Sequence, residues 1–598
     1  MNVLSDGLSV LQDHWRLIAI ILLILLFGQS LTWYILKTIF GEKLDSDEYF
    51  SLGLAGWIIP VLVLSTLWFL LGPFQTIYLD VLIAIMTIAF VASLIFHRFN
   101  KEATPKSKST VPALVFLLAG VVFLRLVFVS RAILPLYFDS AQHYAIIKSL
   151  IGISETANAE VSFGLLVTNY YHVGFHMLVL FLRSISQAEI TDIMLIVGQV
   201  ILAVTPFSVY FLIKRTTKSN SAGIFAVLLA GFGWYMPAHL LDWGKYPALT
   251  SLMLIHFVLS LAYLLVRYRG VLPRQKVWGL LAILAAGSLA AVFAHSRSLV
   301  IFGIVLIVCG IASWWRQLPR APQVLVLVTV IGGIVWEIII VQSHDVLYLL
   351  FDPYGLKSWP VTLSVLFLFG FALKAYPQLT FSAVLAIFLM VASLFAPVSI
   401  PDYIDLTLLD RPFVEMILYL PLSLIGGLGI AGLESYLSQT KISPVLSRYV
   451  GILFSGLIVL NAVFQYQLYP SNCCIIVGSD DLVAIDWMDK NLPADALIAI
   501  SAVELMVLAS DSFQGHVGGD AGIWISPLIN QPTIPFLNFS DFSQDTTLQT
   551  LCELKANYLY IGETGQTFNV TQIAAQPDWY KILLSMPKAK VYQIIGCE

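Results

Sequence analysis

Ile190-Thr-Asp-Ile-Met-Leu-Ile-Val-Gly-Gln-Val-Ile-Leu-Ala-Val-Thr-Pro-Phe-Ser-Val-Tyr-Phe-Leu-Ile213, followed at once by Lys214-Arg215, decides the fold class. A bilayer core of about 30 Å needs about 20 apolar residues in a helix. Only helices and closed barrels satisfy their backbone there, and this run is too long for a barrel strand. Comparable runs lie near 15–36, 51–71, 76–96, 111–133, 220–239, 246–266, 278–294, 298–315, 323–342, 359–373, 376–397, 412–432 and 449–468. The expected fold is an α-helical polytopic membrane protein with about 13–14 spans, followed by a soluble α/β domain. The composition agrees: 59% of residues are hydrophobic and 11% charged, where soluble domains carry about 25%. The segment before the first run holds Asp6, Asp13 and His14 and no basic region, so it does not read as a cleaved signal. A net charge of -4 argues against a nucleic-acid partner.

Basic residues set the orientation. Arg98 to Lys108, Lys214 to Lys218, Arg267 to Lys276, Arg316 with Arg320, and Lys441 with Arg448 all fall on one side, read as cytoplasmic. Loops 134–189, 240–245, 343–358 and 398–411 then lie outside, with both termini. The apolar block Tyr170–Ile185 would break this parity if it spanned. It is therefore expected to lie in the membrane interface.

From Ser479 the composition becomes that of a globular domain. Helices are expected at 480–490 and 546–555, and strands at 496–501, 558–562 and 591–595, a small α/β arrangement. The chain thus divides into extra N-terminal helices at 1–110, a membrane module at 111–469 and an external domain at 470–598. Of five cysteines, Cys309 is expected in the core. Cys552 with Cys597 is a plausible disulfide in an oxidising exterior, and adjacent Cys473 and Cys474 are not expected to bond each other.

Charged residues concentrate at the outer ends of spans. Asp139 and His143 are four apart, so one helix face could carry both. Such a carboxylate could act as base or metal ligand, or simply cap a helix. His172 and His176 repeat the spacing, suiting zinc or a headgroup region. Asp242 and Lys245 share a short turn and could pair or face a substrate. Arg297 and Arg411 suit phosphate, Arg offering a two-pronged fork. Asp410 beside Arg411 could equally be a helix anchor. Inside spans, only Arg125 and Glu337 suggest a transport path.

This layout resembles the GT-C class of membrane glycosyltransferases, which includes protein O-mannosyltransferases and oligosaccharyltransferase catalytic subunits. In that class a span leads to a large first external loop that opens on an acid, where Asp139 stands here. An interfacial helix follows with a Tyr-Pro type motif, matched by Tyr170-Tyr171-His172 without the proline. Asp242 fits the acid of the second external loop. Arg411, followed by Pro421-Leu422 and Gly426-Gly427, fits the late external arginine. The tail stretches Asp486-Trp487 to Ile498 and Asp520-Ala-Gly522-Ile-Trp524 to Pro535 resemble segments of uncharacterised bacterial and archaeal members. The resemblance spans about residues 111–598. It implies transfer of a sugar from a polyprenyl-phosphate donor to a glycan, lipid or protein acceptor at the external face of the cell membrane. Asp139 and Asp242 would be catalytic. Arg411, Lys245, Arg297, His143, His172 and His176 would bind substrate. The implied cofactor is at most a divalent metal, Mg or Mn. The other classes weighed are a lipid-linked polysaccharide ligase or polymerase, a transporter and a non-enzymatic assembly protein.

Overall fold

The computed structural model describes residues 2–70, 110–156, 172–342, 350, 352–398, 406–439, 444–504 and 515–597. The expected span at 76–96 lies outside them, as do Tyr170 and Tyr171. The membrane part runs through α1 (Val3–Asp13), α2 (Trp15–Phe40), α3 (Ser46–Gly56), α4 (Ile58–Leu70), α5 (Val111–Val129), α6 (Tyr137–Thr156) and α7 (Gly174–Ser186). It continues through α8 (Ile190–Val204), α9 (Phe207–Thr217), α10 (Asn220–Leu228), α11 (Tyr246–Tyr268), α12 (Arg274–Ala294), α13 (Ser298–Trp315) and α14 (Arg320–Gln342). It ends with α15 (Trp359–Ala375), α16 (Pro377–Ala392), α17 (Arg411–Ile417), α18 (Tyr419–Gln439) and α19 (Pro444–Gln465). Among the described residues nine helical segments are long and apolar enough to cross a membrane. The chain is a polytopic membrane protein.

Its outer surface fits that solvent. Leu306, Val463 and Phe464 stand outward uncovered, as lipid-facing side chains do. Cys309 belongs to this face: it is exposed on α13, not in the core as expected. Inside the bundle, small residues let backbones meet. A Cβ on Gly429 of α18 would lie 2.6 Å from the Leu368 carbonyl of α15, and one on Gly432 would strike the Phe371 carbonyl.

Three expected spans are short helices, Asn220–Gly233, Trp359–Ala375 and Pro377–Ala392. The first stops early because Leu229–Gly233 loosens into a π-helical turn before the extended Trp234. The interfacial helix is also corrected. α7 does not lie on the surface: Phe175 to Phe181 are buried, and it packs against α2, α4, α6, α8, α11 and α12. Its 13 residues reach only about 20 Å at 1.5 Å per residue, so it sits inside the bundle without crossing it.

The polar links sort into two ends. At one, Lys214 pairs with Asp47 at 3.1 Å and Arg215 with Glu48 at 3.2 Å, while Thr110 bonds Asp47. At the other, Lys245 meets Asp139, Arg297 meets Asp410, and Ser471 N donates to Asp242. This second end carries the tail.

The tail is a six-stranded sheet with helices, formed by α20 (Ser479–Asn491), β1 (Ile498–Glu504), β2 (His516–Gly518), β3 (Thr533–Leu537), α21 (Asp545–Glu553), β4 (Tyr558–Ile561), β5 (Tyr580–Ser585) and β6 (Lys590–Ile594). The order is β2-β1-β4-β6-β5, with β3 parallel to β1. Both expected helices and the three expected strands are present. Cys552 and Cys597 are bonded, tying α21 to the chain's end. Cys473 and Cys474 are also bonded, against expectation.

Asp520 is fully buried, accepting from Gly522 N at 2.9 Å and Gly562 N at 3.1 Å. Burial pushes its carboxyl up to about 7 despite those bonds, and Asp481 adds to the rise. Burial also raises Asp481 itself. An acid raised by folding keeps its proton in the native state after the unfolded chain has released it. The tail's stability should therefore fall as pH rises from about 4 toward about 7. Thermal melts at pH 5 and pH 8 should show the tail transition higher at pH 5, and Asp520→Asn should narrow that gap.

Candidate functional site at the tail end of the bundle

α6 begins with Tyr137 in a left-handed conformation, φ 64°. Its N–H donates to the carbonyl of Cys474 at 3.1 Å, so the tail segment fixes where the helix starts. Asp139 follows within the first turn and forms an ion pair with Lys245, the residue before α11. Burial on its own would lower the Lys245 ammonium, but Asp139 and Asp410 outweigh burial and raise it. Lys245 therefore stays charged.

The turn that brings Lys245 in depends on Gly244, whose φ is 64°. A Cβ there would collide with Ser140 Oγ and lie 2.9 Å from the Leu136 carbonyl. Two further ion pairs sit close by. Arg297 Nη1 is 2.5 Å from Asp410 Oδ2, and Arg411 Nη1 is 2.9 Å from Glu415 Oε2. Asp410 also caps α17 by accepting from Phe413 N at 2.9 Å, so the expected anchor is real and doubles as an Arg297 partner. The Arg411 guanidinium stacks 5.9 Å from the Trp243 ring centroid. Its buried Nε finds no acceptor among the described residues. The phenol of Tyr137, raised mainly by burial, feels Asp139, Lys245 and Arg411 together, which places the three in one neighbourhood.

The histidines are arranged differently from the expected pairs. α7 starts at Gly174, so His172 precedes the helix and shares no helical face with His176. His143 Nδ1 lies instead 3.1 Å from His176 Nε2, and the His172 ring lies 4.3 Å from that of His295. Burial lowers His143 well below its usual value, with His176, His172 and Lys245 adding to it. Burial, Arg297 and Lys245 bring His172 down to about 3. His295 is lowered well below the ordinary value, by burial first. These three rings are neutral at pH 7. They can hydrogen-bond hydroxyls, and the cationic side chains beside them are Lys245, Arg297 and Arg411.

Asp242 does not pair with Lys245. It is fully buried, with Oδ2 3.0 Å from His239 Nδ1 and Oδ1 accepting Ser471 N at 2.7 Å. Both oxygens are spent on holding a turn to the tail. Asp352 and Lys357 pair at 2.9 Å, with the Lys357 ammonium 4.1 Å from the Tyr235 ring centroid.

Asp139 also lines a cleft of about 440 Å³ between α6 and the tail, with Phe138, Gln142, His516, Ser526 and Pro535. The segment Asp520–Leu528 seats the tail here. Trp524 meets Tyr144 edge-on at 5.6 Å, and Lys148 Nζ donates to the Pro527 and Leu528 carbonyls at 2.8 and 3.1 Å. Residues not singled out as site members from the sequence are His295, His239, Asp410 and Glu415. Asp410, read as a helix anchor beside Arg411, and Glu415, four residues after Arg411, carried a local signal.

Gly244→Ala should destabilise this end by about 1–3 kcal/mol, the cost of a strained φ plus the clash. Gly303→Ala, where a Cβ meets nothing, is the control. Thermal melts of the purified protein measure both, and equal melts would remove Gly244 from the account.

None of the curated proteins matches the chain. A family model described as "Family of unknown function (DUF6541)" matches residues 50–399, more than half of the chain and the part that carries Asp139, Asp242, Lys245 and Arg297. The chain belongs to that family.

Proposed function

We propose that this protein is a membrane glycosyltransferase of the GT-C type, moving a sugar from a polyprenyl-phosphate donor to an acceptor hydroxyl at the external face. One observation carries the reading: Asp139 lines the cleft under the tail and at the same time touches the ammonium of Lys245. A base that stands between an acceptor cleft and a cationic patch suits a reaction that needs both.

The ion pairs supply a sequence of events. Lys245, Arg297 and Arg411 each face a carboxylate in the described state. An arriving phosphate would take Lys245 and release the Asp139 carboxylate from its ion pair. Asp139 would then accept the acceptor's O–H proton as that oxygen attacks the anomeric carbon. The glycosidic bond forms, the bond from anomeric carbon to phosphate oxygen breaks, and configuration inverts. Polyprenyl phosphate leaves with one more negative charge, which Arg411 and Lys245 are placed to hold. His143 and His172, being neutral, would orient hydroxyls.

The described residues do not fit an Mg or Mn site. Asp139 faces Lys245, and Asp242 has given both oxygens to His239 and Ser471. No step is assigned to such a metal. A polymer ligase would use the same residues and differ in acceptor. Transport is less well supported: Arg125, one of its two candidate residues, is held by Gln199 at 2.8 Å, Tyr466 at 3.2 Å and the Gln467 carbonyl at 3.1 Å.

Asp139→Asn should lower transfer about 10²–10⁴-fold, the usual share of a general base, while donor binding survives. Arg411→Lys should also lower turnover, since a point charge cannot reproduce the fork. A sugar-transfer assay on purified variants, with donor binding measured alongside, checks both, and full activity of Asp139→Asn would end the mechanism. Orientation has its own check. In a Cys309→Ser background, an impermeant maleimide on whole cells should label Asp486→Cys in α20 and spare Gln317→Cys between α13 and α14. The reverse pattern would put the tail inside.

A further inference from the structure

Three metal-ligating side chains outside the proposed transfer chemistry meet where the last membrane helix hands over to the tail. His239, Cys473 and Cys474 each present a ligand atom, and these atoms lie within 4.8 Å of one another. His239 and Cys474 are buried, at 4% and 1% exposed, while Cys473 opens to solvent. The surroundings are those of a supported site. Asp242 Oδ2 lies 3.0 Å from His239 Nδ1, which fixes the ring; Nε2, 3.3 Å from Tyr235 Oη, would exchange that contact for a cation. Carboxylates behind metal-bound imidazoles act in this way. Tyr235 Oη, 2.8 Å from Nδ1, and Gln467 Oε1, 3.2 Å from it, stand beside the same nitrogen as further polar neighbours. Ser471 Oγ lies 3.3 Å from Cys473 Sγ, and its backbone N–H is tied to the same Asp242.

We propose that His239, Cys473 and Cys474 form a redox-gated site for a thiophilic divalent cation of the zinc class. The described state is the closed one, with the two sulfurs joined. A dithiol reductant delivers two electrons and two protons, breaks the S–S bond and becomes a disulfide itself. Two thiols result. A divalent cation then replaces the two thiol protons, which leave to solvent, and takes His239 as third ligand. Two thiolates and an imidazole select a soft or borderline cation over Mg or Ca. A fourth tetrahedral position remains for water. The location gives the site leverage. Cys474 O holds Tyr137 N, two residues before Asp139, so a change at the sulfurs is passed to the start of α6. The metal proposal itself does not depend on the transfer reaction.

The test uses the purified full-length protein in detergent, reduced with a phosphine and titrated with Co(II) as a visible stand-in for Zn(II). Expected is one cobalt per chain, with a near-ultraviolet sulfur-to-cobalt charge-transfer band that Zn(II) abolishes. The oxidised protein should show no band. The band should vanish in Cys473→Ser/Cys474→Ser and persist in Cys552→Ser/Cys597→Ser. Asp242→Asn should weaken Zn(II) binding by about 10–100-fold without removing it. Circular dichroism of each variant checks its fold. A reduced wild-type chain without the band would overturn the proposal. So would a band that survives loss of Cys473 and Cys474, or unchanged affinity in His239→Ala.

Discussion

The ion pair between Asp139 and Lys245 is the contact through which the tail end of this molecule is organised. It joins the first turn of α6 to the entry of α11, two loops far apart in sequence. It exists only because Gly244 adopts a left-handed turn against Ser140. Both side chains are partly buried, and a charge withdrawn from water is costly unless it is paired. Removing either partner would strand the other beside His143, His172 and Arg297. The pair therefore fixes two loops at once, and the remaining charged groups arrange themselves around it.

That arrangement is balanced. Three cations, Lys245, Arg297 and Arg411, face three carboxylates, Asp139, Asp410 and Glu415. The neighbouring His143, His172 and His295 rings add no positive charge at neutral pH, because burial keeps them unprotonated.

How much of this was legible in the sequence depended on range. The spans were readable because apolar run length and basic flanks are local quantities; α8 with α9 forms one continuous run ended by Lys214, as its residues imply. The tail strands at 498–504, 558–561 and 590–594 were readable from apolar content. β3 was not, because Pro535 argues against a strand, and it is tolerated there on a strand that pairs only with β1. β5 pairs only with β6 and alternates too weakly to stand out. In the site, residue types and the loops that carry them were readable, but partners were not. Asp242 with Lys245 was the nearest opposite charge in sequence, yet the turn at Gly244 points Lys245 to α6 and Asp242 to His239 and Ser471. Likewise α7 was expected in the interface because a span there would break the parity of the basic clusters, and only the six helices around it show that it is covered by the bundle.

The tail is best understood as part of the same constraint. Its contacts fall on the strip of α6 beyond Asp139: Tyr144 against Trp524, and Lys148 on the Pro527 and Leu528 carbonyls. Leu134 and Ala141 even share a buried cluster with Ile485, Ile500 and Trp524. α6 thus has one side in the bundle, through His143 and α7, and one side in the tail's core. A helix packed on both sides cannot tilt independently of either body, so the tail sets the position of Asp139 as firmly as the membrane helices do. The cleft beside Asp139 is consequently a shared wall. Its shape on one side is α6, and on the other it is the tail's own sheet and the segment around Ser526. Changes in the tail alone can therefore alter the shape of this cleft while leaving the charged patch untouched.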